Sequence, residues 1–355
     1  MIHDFSKEFT AGDCFSDILG QEATKEQLKS ALLMNRHVII IGSPGIGKTT
    51  IARNIAKLLP SVEANDCEYH CNPSNPLCPA CRKGKTKTKK IEGINRFIRI
   101  QGSPDLTIED LIGDIDPAKA LTHGAMSIEA FTPGKIFKAN NGILFFDEVN
   151  RCPEKLQNAL LQVLEEGKAT IGSYTVDLPA SFIFIGTMNP QETAATEKLS
   201  DVFLDRFDII HMTYPEKIAM EKEIVLARGE KCSVTQRVPG THRATLSGKV
   251  EFPSLLLEAT IDFVRILREH KDLIRKPSVR ASIGLYERAQ ANAVLAERKK
   301  VNSEDIAKSV VSVLSHRIEL KPSVKYLQTE EEFLAQEFKK YCAEHQELET
   351  SGGCL

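Results

Sequence analysis

Segment 42–49 combines three glycines with a lysine and a threonine, and this spacing suits the binding of phosphate. It reads Gly-Ser-Pro-Gly-Ile-Gly-Lys-Thr and follows the apolar run 38–41. Glycines let the backbone wrap with its N–H groups pointing inward, and a helix beginning at Thr49 turns its positive end toward the same anion. We expect Lys48 to reach the β- and γ-phosphates and Thr49 to ligate Mg²⁺. The predicted nucleotide-binding residues of this P-loop are Gly42, Ser43, Pro44, Gly45, Ile46, Gly47, Lys48, Thr49 and Thr50.

Two adjacent carboxylates end a second apolar run, which reads Gly-Ile-Leu-Phe-Phe-Asp-Glu over residues 142–148. The run is too short for a helix and is typical of a buried parallel strand whose carboxyl end meets a ligand. In a Walker B strand, Asp147 holds Mg²⁺ directly or through water, and Glu148 orients or deprotonates the attacking water. A core strand ending in Asp-Glu by chance is the alternative, but the complete P-loop upstream favours the catalytic interpretation.

Three further polar residues could act on the γ-phosphate. Asn189 follows a predicted strand and could hydrogen-bond the attacking water, with a plain turn asparagine as the alternative. Arg206 could reach the γ-phosphate of a neighbouring subunit as an arginine finger, or it could form a surface ion pair with Asp205 or Asp208. Arg280 lies in the first turn of a predicted helix, where the helix dipole disfavours a cation, so a phosphate ligand would explain its position.

Four cysteines at positions 67, 71, 78 and 81 form a C-x3-C and C-x2-C arrangement. Four thiolates would bind Zn²⁺ and order a segment that has little apolar content of its own. Soft sulfur ligands suit an iron–sulfur site equally well, and unligated thiols are a third possibility. His70 could replace one of the sulfur ligands. Four protein ligands leave no open position, so the predicted zinc site, Cys67, Cys71, Cys78 and Cys81, would be structural.

A run of basic residues follows the last of these cysteines. Such a run could contact nucleic acid or an acidic partner. Aromatic residues do not interleave with the basic ones, so a solvated loop is favoured and nucleic acid is an unlikely partner. The basic residues are Arg82, Lys83, Lys85, Lys87, Lys89 and Lys90.

The composition is that of an ordinary globular protein long enough for two domains. The chain has 355 residues, 42% of them hydrophobic and 26% charged, with a net charge of −2. This charge gives no global reason to expect nucleic acid. No apolar run approaches the roughly 18 residues of a membrane span, and the first residues lack the apolar core of a signal peptide. We therefore expect a cytoplasmic protein with no membrane contact, in which the nine cysteines are mostly reduced.

Strands and helices alternate up to about residue 214, which predicts an α/β fold with a parallel sheet. A helix is expected within 16–35 and another over 50–59. Two β-prone arms around Gly172-Ser173 predict a hairpin over 168–178. Helical patterns then dominate, with a polar stretch at 229–252 that has the composition of a mobile loop. The expected helices are Pro215–Arg228, Ser254–His270, Val279–Ala296, Ser303–Arg317 and, in the tail, Thr329–His345.

These patterns divide the chain into a nucleotide-binding core and a helical domain. We predict a core at 1–214, a small cysteine-rich and basic insertion at 61–96, an all-helical lid domain at 215–321 and an acidic tail at 322–355.

The motifs together resemble the AAA+ ATPases, and within them the branch that contains the magnesium-chelatase ATPase subunit and the MoxR-type ATPases. The resemblance covers roughly residues 15–320. The helix after Asn150 looks more like the MoxR type, whereas 107–150 looks more like the chelatase type. The residues that carry the resemblance are Gly42–Thr49, Phe131–Asn150, Ile185–Pro190, Leu204–Phe207 and Pro277–Ala281.

The resemblance implies an ATP hydrolase with a P-loop AAA+ parallel-sheet core and a helical C-terminal lid. It further implies a homo-oligomeric ring, hexameric or similar, with ATP at the subunit interfaces. Arg206 becomes the finger acting on the neighbouring subunit, and Arg280 the sensor-2 arginine of the lid. The hairpin at 168–178 looks like the helix-2 insertion of this branch, which usually contacts the remodelled partner.

Two classes of function follow from the resemblance. The first is the motor of a metal-insertion complex, with a von Willebrand-type or large chelatase subunit as partner. The second is a MoxR-like chaperone that activates another protein. A DNA-associated motor that uses the basic cysteine-rich segment is a weaker third alternative. No protease or metal-ion-adhesion-type domain is recognised after the lid, which favours a partner on another chain.

Overall fold

The computed structural model describes residues 5–10, 14–15, 17–76, 78–84, 86–124, 127–167, 169–171, 174–176, 180–190, 199–237 and 244–345. The chain divides into two compact units. Unit 1 comprises Met1–Ser43 and Gly47–Thr213, and unit 2 comprises Pro44–Ile46 and Tyr214–Leu355. No helix within the described ranges has both the length and the apolar content needed to cross a membrane.

Unit 1 alternates strands and helices, as the sequence predicts. Its strands are β1 (Val38–Ile41), β2 (Val62–Asn65), β3 (Thr88–Ile91), β4 (Phe97–Gln101), β5 (Gly113–Ile115), β6 (Phe131–Pro133), β7 (Ile143–Asp147), β8 (Ala169–Ile171), β9 (Tyr174–Val176), β10 (Ile183–Met188) and β11 (Asp208–His211). Its helices are α1 (Ser6–Thr10), α2 (Glu22–Leu33), α3 (Lys48–Leu58), α4 (Pro79–Arg82), α5 (Ile108–Ile112), α6 (Pro117–His123), α7 (Lys135–Lys138), α8 (Glu154–Glu166) and α9 (Asp201–Leu204).

Five parallel strands form the central sheet of unit 1, in the order β11-β1-β10-β7-β4. The three innermost strands are short apolar runs without polar alternation, and their side chains are almost entirely buried. Such runs form when helices cover both faces of a sheet. Because all five strands run in the same direction, the ends of β1, β7 and β10 lie at one edge. The predicted α/β fold with a parallel sheet is confirmed.

The cysteine-rich segment joins the core of unit 1 instead of standing apart from it. Strands β2 and β3 pair antiparallel and bracket the four cysteines. Tyr69 and three of the cysteines are buried in the same hydrophobic cluster as Phe137. The rings of Tyr69 and Phe137 are 6.2 Å apart, and Asn140 Nδ2 donates to the Tyr69 carbonyl at 3.3 Å. The segment therefore gains from the core the apolar contacts that its own composition lacks.

The hairpin predicted at 168–178 is present as strands β8 and β9, which pair antiparallel immediately after helix α8. The turn residues predicted for it, Gly172 and Ser173, lie outside the described residues. Helix α8 buries Leu156, Leu160 and Val163 on one side. It therefore lies firmly on the core and connects the end of the Walker B region to the hairpin.

Unit 2 is mainly helical. Its helices are α10 (Ile218–Arg228), α11 (Ser254–Glu269), α12 (Val279–Leu295), α13 (Ser303–Leu314), α14 (Pro322–Lys325) and α15 (Glu330–Glu344). Its strands are β12 (Ser233–Arg237), β13 (Ala244–Lys249), β14 (Leu273–Arg275) and β15 (Glu319–Leu320). The predicted helices are thus confirmed to within a few residues, and α15 in the predicted tail packs Phe333, Leu334 and Phe338 into the same hydrophobic cluster as Phe263.

Two details of unit 2 differ from the sequence prediction. The polar stretch 229–252, expected to be a mobile loop, contains β12 and β13 paired antiparallel. Strands β14 and β15 form a second small antiparallel pair, so the helical unit is not purely α. Backbone hydrogen bonds form both pairs. None of the four strands has the alternation of apolar and polar residues by which a strand is recognised in a sequence.

A buried ion pair fixes the beginning of helix α12. Glu221 is fully buried, and its two carboxylate oxygens accept hydrogen bonds of 2.6 Å from both terminal nitrogens of Arg268. Ser282 Oγ donates to the same carboxylate at 2.6 Å, and Arg268 Nε donates to the Pro277 carbonyl at 2.8 Å. Helices α10, α11 and α12 are therefore locked together beside the first turn of α12.

Candidate nucleotide site and cysteine cluster

The P-loop connects β1 to α3 at the carboxyl edge of the sheet. Gly47 precedes α3 with a φ of 105°, a conformation that favours glycine. Lys48 Nζ donates to the Gly42 carbonyl and, at 3.1 Å, to the Ser43 carbonyl. The Gly42 N–H donates to the carbonyl of Met188 at 3.1 Å, which joins the loop to the end of β10. The lysine ammonium thus lies over the loop in which a phosphate would be held.

Asp147 ends strand β7 and is fixed by two donors. Thr187 Oγ donates to Asp147 Oδ1 at 2.7 Å, and Arg99 Nη2 donates to Oδ2 at 2.6 Å. The same Thr187 oxygen accepts the backbone N–H of Glu148 at 2.9 Å. Thr187 is fully buried, so one hydroxyl holds both Walker B residues in a fixed geometry.

Glu148 has left-handed backbone angles, with φ 58° and ψ 54°, which are uncommon for a residue other than glycine. Its Oε2 accepts hydrogen bonds of 3.0 Å from Gln101 Nε2 and from Arg151 Nη1. The backbone of Gly102 passes so close that a Cβ added there would lie 2.0 Å from the Glu148 carbonyl oxygen. The carboxylate is therefore aimed by its own strained backbone and by two neighbouring side chains.

Asn189 follows directly after β10 and is 7% exposed. Strand β10 lies between β1 and β7, so Asn189 leaves the sheet at the edge where the P-loop and the two carboxylates emerge. The structure thus brings Lys48, Asp147, Glu148 and Asn189 to one edge of unit 1, as the sequence predicts.

Arg206 lies on the surface of unit 1, where two carboxylates hold it. Its Nε donates to Glu165 Oε1 at 2.6 Å, its Nη2 contacts the same oxygen, and its Nη1 donates to Asp205 Oδ2 at 3.2 Å. Of the two acids that the sequence offered as ion-pair partners, Asp205 is found. Asp208 instead accepts from Arg36 at 2.9 Å.

Arg280 is exposed in the first turn of α12 in unit 2. A second arginine lies on the same side of this helix. A Cβ added to Gly284, one turn beyond Arg280, would be 3.8 Å from both terminal nitrogens of Arg317. Burial and the charge of Arg280 lower the pKa of Arg317. Arg317 Nη1 donates to the Val313 carbonyl, and sequence reasoning did not single out this arginine as a neighbour of Arg280.

Family models match most of the chain in three segments. The model described as "Magnesium chelatase, subunit ChlI" matches residues 14–74, "ATPase family associated with various cellular activities (AAA)" matches 81–209, and "AAA lid domain" matches 268–337. The magnesium-chelatase subunit ChlI of Synechocystis sp. is 31% identical over 332 residues, which cover 87% of this chain and 88% of that protein. The chain belongs to the magnesium-chelatase ChlI family of AAA+ ATPases.

One further sequence relative and one solved structure are similar to this chain over most of its length. A protein described as a magnesium-chelatase subunit ChlI homolog, from Methanocaldococcus jannaschii, is 28% identical over 325 residues, which cover 87% of this chain and 86% of that protein. A solved structure of the complex between subunits BchI and BchD of magnesium chelatase has a chain that is 22% identical, with a TM-score of 0.48, covering 88% of this chain and 98% of that chain.

The ChlI-family ATPase is an ATP hydrolase, and its site contains oxygen ligands suited to Mg²⁺. Thr49 supplies a hydroxyl and Asp147 a carboxylate, the ligand types that Mg²⁺ prefers. Two of the roughly four lone-pair positions of the Asp147 carboxylate are used by Thr187 and Arg99, so others remain for a cation. When bound, Mg²⁺ neutralises charge that develops on the phosphates.

Sequence reasoning missed four residues that shape the site: Arg99, Gln101, Arg151 and Thr187. Thr187 lies in the stretch Ile185–Pro190 that carries the family resemblance, but the resemblance gave it no role, and the other three lie outside all such stretches. Gln101 pairs with Asp147 in the register of β4 and β7, and Thr187 follows the Gly186–Phe146 pair of β10 and β7. Polar residues at the carboxyl ends of strands next to a Walker B strand are the signal that would have pointed to Gln101 and Thr187.

The four predicted cysteine ligands converge in unit 1. Their Sγ atoms all lie within 4.8 Å of one another, and His70 is not part of this group among the described residues. Thr86 Oγ donates to Cys81 Sγ at 3.0 Å. Burial raises the pKa of the Cys67 and Cys78 thiols, that of Cys78 to about 11. Four sulfur atoms so close, inside a buried cluster, form an arrangement that a single metal ion can bridge.

Proposed function

We propose that this ATPase is the motor subunit of a metal-insertion complex of the magnesium-chelatase type. It would act as a homo-oligomeric ring, hexameric or similar, and would couple ATP hydrolysis to the remodelling of a separate subunit. The support is the family assignment, because proteins named magnesium-chelatase subunit ChlI match over 87% of this chain. The name of these relatives describes a subunit, which implies a partner on another chain.

Within the site, we assign Glu148 as the residue that activates the attacking water. Thr187, Gln101 and Arg151 fix its backbone and carboxylate, so the base is positioned before ATP binds. Lys48 and the P-loop N–H groups would bind the phosphates, and Asn189 would orient the water.

We assign the two predicted arginines to complementary roles. Arg280 in the lid would contact the phosphate of its own subunit's nucleotide. Arg206 would act on the nucleotide of the neighbouring subunit, a role that its surface position in unit 1 permits. A guanidinium presented in this way stabilises the charge of the transferring phosphoryl group and raises the turnover number by about 10³ to 10⁵.

We further propose that the cysteine cluster binds one Zn²⁺. A tetrahedral ion with Zn–S bonds of about 2.3 Å places its sulfurs about 3.8 Å apart, which the observed spread of up to 4.8 Å can reach with small movements. In a four-iron cluster each cysteine binds a different iron, so the sulfurs lie farther apart. The neighbouring basic run is partly neutralised, because Lys83 pairs with Glu129 and Lys89 lies 3.9 Å from Asp66. A role in DNA binding is therefore less favoured.

The proposal is tested by capturing the partner. A Glu148→Gln form should bind ATP without hydrolysing it and should retain the remodelled protein, so it is purified by affinity from its native cells with ATP present. The matched control is Lys48→Ala, which should bind no ATP and release the partner. Retention of a von Willebrand-type or large chelatase subunit only by Glu148→Gln supports the proposal. Retention of an unrelated enzyme would favour a MoxR-type activator and overturn the metal-insertion role.

A further inference from the structure

Helix α8 connects three functional parts of unit 1. It begins at Glu154, three positions after the short 3-10 turn Val149–Arg151 ends, and hairpin strand β8 begins three positions after the helix ends at Glu166. Its 13 residues span about 20 Å. Because its apolar side is buried in the main core, the helix can act as a rigid connection between its two ends.

The first end of this connection lies at the subunit's own nucleotide site. Arg151, in the turn that precedes α8, donates to the Glu148 carboxylate at 3.0 Å. The second end holds Arg206. Glu165, the residue before the last of α8, accepts from Nε of Arg206 at 2.6 Å and also contacts its Nη2. One helix is thus connected at opposite ends to the catalytic base and to the arginine assigned to the neighbouring site.

The backbone of Arg206 is also held firmly. It lies between Phe203 and Phe207, which are buried in the cluster that contains Val163 of α8. The rings of the two phenylalanines are 4.8 Å apart. Arg206 and Glu165 therefore project from elements that are packed on the same core, and their contact does not depend on a flexible loop.

The two carboxylates that hold Arg206 differ in kind. Glu165 takes the edge of the guanidinium formed by Nε and Nη2, whereas Asp205 accepts only from Nη1 at 3.2 Å. The Asp205 side chain is 79% exposed, against 46% for Glu165. A phosphate oxygen could replace Asp205 at Nη1 while the edge on Glu165 stays bound.

We propose that Glu165 is a positioning residue that directs Arg206 toward the nucleotide of the neighbouring subunit. The inference rests on the role proposed above for Arg206. Glu165 holds the Nε and Nη2 edge of the guanidinium, and a phosphate oxygen replaces Asp205 at Nη1. Loss of this contact leaves the arginine present but wrongly directed. Misplacement of a reacting group by about 1 Å can cost about 100-fold in rate, so the effect on turnover should be large although Glu165 touches no substrate.

The first test compares three variants of the full-length protein by steady-state ATPase assay. Glu165→Gln should lower kcat by roughly 10- to 100-fold and leave the KM for ATP within about twofold. Asp205→Asn, the matched loss of one carboxylate charge on the same arginine, should keep kcat within about threefold. Arg206→Ala should lose turnover as the reference. Light scattering checks that each variant forms the same oligomer. Equal kcat for Glu165→Gln and wild type overturns the inference.

The second test mixes subunits. Glu148→Gln subunits lack the base but keep a correctly held Arg206, so added to Glu165→Gln subunits they should raise the turnover per Glu165→Gln subunit. Damage confined to the active site of the Glu165→Gln subunit itself would not be rescued, and that result overturns the inference. Mixing Glu148→Gln subunits with Arg206→Ala subunits instead of Glu165→Gln subunits distinguishes the finger role of Arg206 from the positioning role of Glu165. If Arg206→Ala is rescued and Glu165→Gln is not, only the role of Glu165 fails. If Arg206→Ala retains full turnover alone, the finger proposal fails.

Discussion

Gly102 gives the sharpest test of how the catalytic base is positioned. It follows β4, and its N–H donates to the Asp147 carbonyl at 2.7 Å. A Cβ at this position would lie 2.0 Å from the carbonyl oxygen of Glu148 and 2.8 Å from its carbonyl carbon. Both contacts are with backbone atoms, so no side chain can rotate away to relieve them. Gly102→Ala must therefore move the Walker B backbone itself.

The size of the effect follows from these distances. Real Cβ atoms essentially never approach another heavy atom closer than 3.0 Å, so the contact must lengthen by about 1 Å. A shift of about 1 Å in a catalytic group can lower the rate about 100-fold. Overpacking of this kind also costs about 1–3 kcal/mol of the free energy of unfolding. We expect Gly102→Ala to bind ATP, to lose about 100-fold in kcat and to melt a few degrees lower.

The assay is steady-state ATP hydrolysis alongside equilibrium binding of a fluorescent ATP analogue and a thermal melt. Gly124→Ala is the control for backbone strain. Gly124 has a φ of 88° that disfavours alanine, but among the described residues no atom lies within 4 Å of its Cβ position. Gly124→Ala should lose stability and keep its kcat. If Gly102→Ala hydrolyses ATP at the wild-type rate, the close approach does not position Glu148 and the reasoning is wrong.

Three further predictions concern the hydroxyl bridge, the cysteine cluster and a buried histidine. Thr187→Val removes the bridge to Asp147 and Glu148, so it should cost about 1–3 kcal/mol in denaturant unfolding and lower kcat. Elemental analysis should find about one zinc per chain, and Cys71→Ser should lose the zinc and lower the melting temperature. Burial, with the charge of Arg36, lowers the pKa of His37 to about 4, so the unfolded chain binds the proton more tightly. The free energy of unfolding should be greatest above pH of about 6.5 and decrease toward pH 4, by up to about 3 kcal/mol.

Each of these predictions has a matched control. Thr187→Ser keeps the hydroxyl and should retain most of the activity, so equal loss in both variants would contradict the role of the bridge. Cys14 lies outside the cluster, so the Cys14→Ser variant should retain the metal. A preparation that contains iron instead of zinc, or no metal, would contradict the zinc site. His37→Asn keeps an acceptor for the Phe184 N–H and should flatten the pH profile, and an unchanged profile would assign the effect to other groups.

The sequence predicted the elements whose own residues determine them. The strands that form β1, β7 and β10 are continuous apolar runs, and the helices of unit 2 have regular apolar spacing and end near their predicted limits. The pair β12 and β13 was missed because its residues, Ser-Val-Thr-Gln-Arg and Ala-Thr-Leu-Ser-Gly-Lys, lack an apolar face. Backbone pairing between two such runs leaves little trace in side-chain pattern.

The candidate site shows the same division between local and non-local information. The P-loop, Asp147, Glu148 and Asn189 are recognisable because each belongs to a motif contained in one short stretch. The contact of Arg206 with Glu165 joins residues 41 positions apart, and that of Arg99 with Asp147 joins residues 48 apart. Such contacts depend on strand order, register and helix packing, which one sequence without alignment does not reveal.

The contacts around Asp147 and Glu148 differ in how easily ATP binding can rearrange them, and this difference determines which substitutions lower kcat most. The pairs Arg99–Asp147 and Arg151–Glu148 each rest on one hydrogen bond from an arginine that is 46% or 38% exposed, and such pairs contribute about 0–1 kcal/mol, whereas Arg206 contacts Glu165 through both Nε and Nη2. Charged phosphates and Mg²⁺ can rearrange them at little cost. Thr187 and Gly102 are buried, so their contacts with the Walker B residues persist when ATP binds. Arg151→Ala should therefore lower kcat by less than about tenfold, whereas Gly102→Ala should lower it by about 100-fold. If Arg151→Ala has the larger effect, Glu148 is positioned by its side-chain partners and not by its backbone.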